Sequence, residues 1–287
     1  MALDNDGAAQ YLQHEAMKIF VRHVIAQQFI SPMRGKIREM RLRPRQNACQ
    51  HVLSWSIAAG EDCAISEEED FFGNLVQTIE AGGRAPNLTA TVRGEIETFD
   101  TAGVLSGEME RVAPDFFLRE TETTAPDSAL RDFSREAVKG AKTGLDRPHF
   151  LMRAIHETIA FAPSAAPPEA AAAVFAAKTG ASGDMAHVFV AAARALDIPA
   201  RFVSGYLASD SEGAAYAADA SDLRGWAEAY VAGLGWIGFD PSICLCMHEG
   251  HVRLAVALDY SGAAPLRIAP APGAAVSIEV SARFVGR

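Results

Sequence analysis

Two short stretches of this chain gather side chains that can do chemistry. The first is Cys244-Leu-Cys246-Met-His248-Glu-Gly-His251, which crowds two thiols and two imidazoles into a few positions. Zinc takes Cys and His in a tetrahedron, and this run could supply four ligands. Two features weigh against that. The Cys-x-Cys spacing is shorter than structural zinc sites use, and His251 opens a segment that reads as a strand. The expectation is therefore free thiols and a surface histidine, with no metal and no other cofactor. The second stretch is Gly180-Ala-Ser182-Gly-Asp184-Met-Ala-His187, at the head of an apolar run with helical character. Ser182 there is expected as a helix cap, its oxygen accepting the N–H of Asp184 or Met185, rather than as a nucleophile. His187 follows on the same helix, about 140° round the axis at 3.6 residues per turn, and points away from Ser182.

The elements that must carry these residues come in blocks. From Met17 to about Thr98 the chain reads as strands, with Leu88, Ala90, Val92 and Ile96 on one face and Thr89, Thr91, Arg93, Glu95 and Glu97 on the other. Turn chemistry divides them at Pro32 and Gly35, Gly60 to Asp62, Gly73-Asn74 and Gly82-Gly83. This predicts an antiparallel β-sandwich. The acidic run Glu67 to Asp70 reads as a solvated loop rather than a cation site. Helices follow: one after Pro126-Asp127 with Leu130, Phe133 and Ala137 on a stripe, one opened by Asp146 and Pro148, an alanine-rich one from Glu169 to Ala177, and one from about Gly183 to Leu196. Strands return at Ala200 to Ser204, Trp226 to Val231, Gly235 to Phe239, Val252 to Leu258 and Val276 to Val285, with a loop expected over Ala208 to Ala220. Helices and strands in blocks predict an α+β chain, divided as a β-sandwich domain over 1–105 and an α+β domain over 106–287.

Composition narrows the partners. The chain has 287 residues, 49% of them hydrophobic, enough for a sizeable core. Its 36 acidic and 26 basic residues give a net charge of -10, which argues against binding a phosphate backbone. No stretch is long and apolar enough for a membrane span, and the acidic start lacks the features of a signal peptide. Four cysteines are too few for a disulfide framework. The expectation is a cytoplasmic protein with no nucleic-acid or membrane partner, of undetermined oligomeric state.

Taken in order, Gly180 to His187, Ile198-Pro-Ala-Arg201-Phe-Val-Ser-Gly-Tyr206, Trp226-Ala-Glu-Ala-Tyr230, Gly235-Trp-Ile-Gly-Phe-Asp-Pro241 and His251 to Tyr260 with Pro265 resemble the bacterial transglutaminase-like family. Phe72-Gly-Asn74 in the leading segment is similar to the domain that precedes the family's core. The resemblance implies a papain-like core, helices packed on an antiparallel sheet, in which a cysteine at a helix start faces a histidine and an aspartate on adjacent strands and acts on amide bonds. By the same resemblance the cysteine position holds Ser182, the histidine position holds Arg224, and Asp240 alone matches. A helix-start thiol is lowered in pKa by the dipole and completed by the imidazole, and the aspartate orients that imidazole. A serine hydroxyl needs a general base, and an arginine with a pKa above about 12 cannot be one. Trp226, Glu228 and Tyr230 would line the old cleft. The implied function is a non-catalytic protein whose cleft binds a peptide, an amide-bearing ligand or a protein partner. The competing reading is a residual amidase or amide transferase using Ser182 or a thiol near Cys244 and Cys246. The carboxylate of Asp240, lacking its imidazole, is expected to pair directly with Arg224.

Overall fold

The computed structural model describes residues 16–106, 110–208, 223–268 and 275–286, with side chains except at 30–38 and 84–85. The expected loop over Ala208 to Ala220 lies, past its first residue, outside these ranges. Two strands dominate the amino-terminal part: β1 (Met17–Met40) and, after the hairpin strands β2 (Gln50–Ala59) and β3 (Cys63–Glu69), β4 (Leu75–Thr98). The alternation read from β4 is real, since Leu88, Ala90, Val92 and Ile96 are buried while Thr89, Arg93 and Glu95 are exposed. Gly60 to Asp62 and Gly73-Asn74 turn the chain as expected. The other two signals do not. Pro32 and Gly35 fall inside β1 and Gly82-Gly83 inside β4, around the stretch where the two strands pair with shifted register, after Gln28, after Met33 and after Lys36. Proline has no N–H to give a ladder and glycine marks a bulge, so these residues bend long strands rather than end them.

The second part opens with a 3-10 turn at Pro114–Leu118 and α1 (Ser128–Ala137), capped by Asp127, whose carboxylate accepts the Leu130 N–H at 2.8 Å. Then come α2 (Asp146–Thr158), β5 (Ala160–Phe161), α3 (Ala171–Ala177), β6 (Thr179–Gly180) and α4 (Ser182–Arg194). Every residue of α4 is buried. Its apolar side chains pack between α1, α2 and α3 and a sheet formed by β7 (Ala200–Leu207), β8 (Leu223–Val231), β9 (Gly235–Asp240), β10 (Leu245–Cys246) and β11 (His251–Ala257), in the order β10-β9-β8-β7-β11 and antiparallel throughout. Arg194 anchors the far end of α4: its guanidinium donates to the carbonyls of Phe117, Ala200 and Leu258 and to Thr124 Oγ1. Burial lowers its pKa to about 10, still far above neutrality, so the charge persists.

After the short helix α5 (Tyr260–Ala263) the chain returns to the first sheet. Strands β12 (Leu266–Ile268) and β13 (Ala275–Gly286) both pair with β1, against its late and early residues respectively. The expected sandwich is thus one six-stranded antiparallel sheet, and β12 and β13, which the division into 1–105 and 106–287 places in the second part, pair with β1 of that sheet. The two parts share one apolar interface, in which Tyr206, Val252 and Leu254 join Ile19, Val21, Ile25 and Val92.

The outer edge of β11 shows how that interface is stitched. An edge strand leaves N–H and C=O groups unpaired, and burying them costs free energy unless something pairs with them. Asn74 donates to the Val256 carbonyl and accepts the Val256 N–H, both at 2.8 Å. Gln50 does the same for Arg253, at 2.9 and 2.8 Å. Two side-chain amides imitate a neighbouring strand. Asn74→Ala should therefore strand two buried backbone groups and cost on the order of 2 kcal/mol in urea unfolding; a variant as stable as the parent would show that water satisfies them.

Candidate functional site

Ser182 is the first residue of α4, and its neighbour Ala181, extended at φ -81°, occupies the cap position without a polar side chain. The expected serine cap is not formed, because a residue already helical cannot fold its hydroxyl back onto the N–H groups ahead of it. Asp184 does part of that work instead, its carboxylate accepting Ala181 N–H at 2.8 Å and Glu169 N–H at 2.7 Å. The Ser182 hydroxyl oxygen turns to β8 and accepts the Gly225 N–H at 3.4 Å. His187, deeper in α4, is structural: one ring nitrogen bonds the Glu169 carbonyl at 2.8 Å and the other accepts the Tyr260 N–H at 3.1 Å. Burial holds its pKa below the ordinary value.

Arg224 and Asp240 are brought close but not together. The ion pairs among the described residues do not include them as partners, so the direct pair expected from the sequence is replaced by a relay. Arg224 Nη1 donates to Ser242 Oγ at 3.3 Å, and Ser242 donates both its hydroxyl and its N–H to Asp240 Oδ1, at 2.5 and 2.9 Å. The second carboxylate oxygen faces His251 Nε2 at 3.5 Å. Backbone hydrogen bonds fix the imidazole's tautomer. His251 Nδ1 accepts the His248 N–H at 3.2 Å, so in the neutral ring the proton sits on Nε2 and points at Asp240. Asp240 is fully buried, which pushes its pKa up; hydrogen bonds from His251 and Ser242 and the Arg224 charge outweigh burial and hold it below the ordinary value. Ser242 was invisible as a site residue, though an Asp-Pro-Ser run, with a hydroxyl two residues after a carboxylate, is the signal that could have found it.

Trp226, Glu228 and Tyr230 do not line a cleft with these groups. Residues 225, 227 and 229 of β8 face α4, so 226, 228 and 230 point through the other side of the sheet. Trp226 is buried in the cluster with Phe117, Val203 and Trp236, and Tyr230 packs edge-on against Trp236 at 5.6 Å between ring centres. Glu228, fully buried, bridges two guanidinium groups, Arg201 at 2.5 Å and Arg253 at 2.7 Å. Burial pushes its pKa up, and the two arginines outweigh that and hold it below the ordinary value.

The Cys and His run separates. Cys246 looks toward His149 of α2, with 4.0 Å from Sγ to Nδ1, and burial pushes its thiol up to about 11. Cys244 lines the same depression, whereas His251 belongs to Asp240 and His248 stacks edge-on against His251 at 4.5 Å. Among the described residues no three His, Cys, Asp or Glu side chains converge as metal ligands. A thiol with a raised pKa is a weak nucleophile at neutral pH.

A cavity of about 240 Å³ opens at the start of α4. Ser182, Arg224 and Tyr260 supply polar groups, and Phe202, Leu223 and Ile278 supply apolar walls. Neither an imidazole nor a thiol is among its described lining residues. The carboxylate in the wall, Asp184, has both oxygens taken by backbone N–H groups. Of the buried charges around it, Glu228 makes the sharpest stability prediction. Its contribution is fully present above its ordinary pKa of 4.5 and is lost as pH falls through the lower folded value. Glu228→Gln should cost about 3 kcal/mol near pH 7, by removing the buried carboxylate that bridges Arg201 and Arg253, and should flatten the acid limb of stability against pH. An unchanged acid limb in urea titrations would refute that assignment.

The comparisons with known proteins bear on this geometry. Residues 131–241 match the transglutaminase-like superfamily, and residues 19–97 match the bacterial transglutaminase-like N-terminal region. The crystal structure of a candidate cysteine protease from Cytophaga hutchinsonii superposes with a TM-score of 0.74 at 19% identity, over 95% of this chain and 92% of that one, a likeness that shows the fold. The periplasmic domain of TgpA from Pseudomonas aeruginosa superposes at a TM-score of 0.37 and 14% identity, over 77% of this chain and 88% of that one, too distant to support an argument. An uncharacterized protein of Mycobacterium leprae is 30% identical over 88 residues, 31% of this chain and 31% of that protein, so the match spans about a third of the relative's length.

Proposed function

We propose that this chain, which belongs to the transglutaminase-like superfamily, uses the fold without its amide chemistry, and that the cavity at Ser182 and Arg224 binds a peptide segment and releases it unchanged. The observation that carries this reading is the composition of the cavity wall, whose described residues offer neither thiol nor imidazole. Catalysis of acyl transfer needs a nucleophile and a base within hydrogen-bonding reach of it. Ser182 could serve as the first only if deprotonated, and Arg224 cannot deprotonate it. Asp240, the residue that matches the family pattern, has its oxygens occupied by Ser242 and His251 and lies one residue behind Arg224 in the relay.

The enzyme reading, an amidase or amide transferase acting through Ser182 or a nearby thiol, has less support. Cys244 and Cys246 line a different depression with His149, and burial raises both thiols. In the binding reading the same groups have clear uses: Ser182 and Arg224 donate hydrogen bonds, and the apolar wall takes a side chain.

The test is turnover of a glutamine-containing peptide with an amine acceptor. The parent protein should stay at background, as should Ser182→Cys alone. The pair Ser182→Cys with Arg224→His should gain thiol-dependent turnover, because thiol activation needs both partners. Parent turnover that vanishes in Ser182→Ala would sink the binding reading, and equal activity of the single and double variants would show that residue 224 is not the missing base.

A further inference from the structure

We infer that the ligand is an extended peptide that straddles Tyr260, placing an apolar side chain in the Ser182 cavity and, two residues along, an acidic side chain in a second depression beside Arg267. This rests on the binding reading above and narrows it to a sequence pattern. The second depression, of about 340 Å³, is lined by Thr123, Pro167, His187, Ser261, Leu266 and Arg267, and it shares Pro168 and Tyr260 with the first. Those two residues form a ridge with a hollow on either side.

The ridge is held from two sides. Tyr260 donates its N–H to His187 Nε2 at 3.1 Å, and its ring meets Phe202 edge-on at 5.9 Å between centres. His187 thereby fixes the residue that divides the two hollows. Burial holds the Tyr260 hydroxyl above its ordinary pKa, so it keeps its proton at neutral pH and is a hydrogen-bond donor. Among the described residues that hydroxyl has no hydrogen-bond partner, and it can donate to a carbonyl of a chain passing over the ridge.

In an extended peptide successive side chains alternate in direction, so residues i and i+2 point the same way about 7 Å apart, close to the breadth of an aromatic side chain. A chain lying across Tyr260 drops two such side chains into the two hollows. The first hollow has apolar walls at Phe202, Leu223 and Ile278 and takes an apolar side chain. Charge decides the second. His187 has both ring nitrogens engaged, by the Glu169 carbonyl and the Tyr260 N–H, and the neighbouring Asp259 has its oxygens taken by the Thr123 hydroxyl and the Gly262 N–H. Arg267 is exposed, donates to the Ser261 carbonyl and makes no ion pair with a described residue. The charge that meets a ligand there is positive, and it favours a carboxylate side chain over its amide.

The experiment follows binding of three end-blocked peptides to the full chain by NMR titration: acetyl-Ala-Leu-Ala-Glu-Ala-amide, the same peptide with glutamine for glutamate, and the isomer acetyl-Ala-Leu-Glu-Ala-Ala-amide. The first should bind about threefold more tightly than either of the others, the worth of one exposed ion pair, and the advantage should shrink as salt is added. Arg267→Gln should abolish the advantage of glutamate over glutamine. Tyr260→Phe, which keeps the ring and removes the hydroxyl, should weaken all three peptides alike; circular dichroism checks that both variants fold. The comparison of peptides on the parent chain needs no variant at all. Equal binding of the glutamate and glutamine peptides would overturn the acidic assignment, and equal binding of the first peptide and its isomer would overturn the straddling register, each leaving peptide binding at the Ser182 cavity intact. Failure of all three peptides to bind would reject the binding reading itself.

Discussion

The first turn of α4 lies against β8 with no side chain between them, and the site depends on that approach. A Cβ placed on Gly225 would come within 2.8 Å of the Gly183 Cα and 2.7 Å of the Phe202 ring; one on Gly183 would meet Pro168 at 2.5 Å. Only hydrogen fits at either position. Because the helix can come this close, Ser182 reaches the Gly225 N–H and stands on the same cavity wall as Arg224. The closeness continues along the helix, where Ala191, Ala192 and Ala193 are fully buried and α4 packs on the sheet through Ala227 and Ala229. Small residues on both faces set the helix-to-sheet distance, and that distance sets the site.

Two buried carboxylates flank this contact and are neutralised in different ways. Glu228 takes two guanidinium groups and becomes a bolt through the far side of the sheet, with Arg201 reaching on to Glu110 at 3.0 Å. Asp240 takes a hydroxyl, a backbone N–H and an imidazole, and the hydroxyl links it by hydrogen bonds to Arg224, whose charge also helps to keep it ionised. A buried carboxylate requires donors, but it does not specify which. Once Ser242 and His251 supply them, Asp240 needs no direct ion pair with Arg224, which stands on the cavity wall.

The sequence made the helix starts, the alternation of β4 and the order of blocks legible because each is local: capping residues, a period of two, a run of alanines. It also placed Ser182, Arg224 and Asp240 in one neighbourhood. What it hid was long-range. Pro32, Gly35 and Gly82-Gly83 have the chemistry of turns, and only pairing of β1 with β4 shows that they bend strands instead of ending them. The parity of β8 decided that Trp226, Glu228 and Tyr230 face away from α4, and parity relative to a helix cannot be read from the strand alone. His251 could be read only as a candidate metal ligand or the first residue of a strand, because its partner, Asp240, stands on a strand separated from it in the sheet by β8 and β7.

The return of β13 to the first sheet gives the cavity part of its wall and joins the two parts of the chain around it. Ser182 and Arg224 come from the helix and sheet of the core, and Ile278 and Val280 from a strand whose partner is β1. Under the binding reading, a ligand seated there would touch both parts and would favour the same arrangement that the Asn74 and Gln50 contacts hold. In this fold the interface that the amide side chains stitch also brings β13 to the cavity wall.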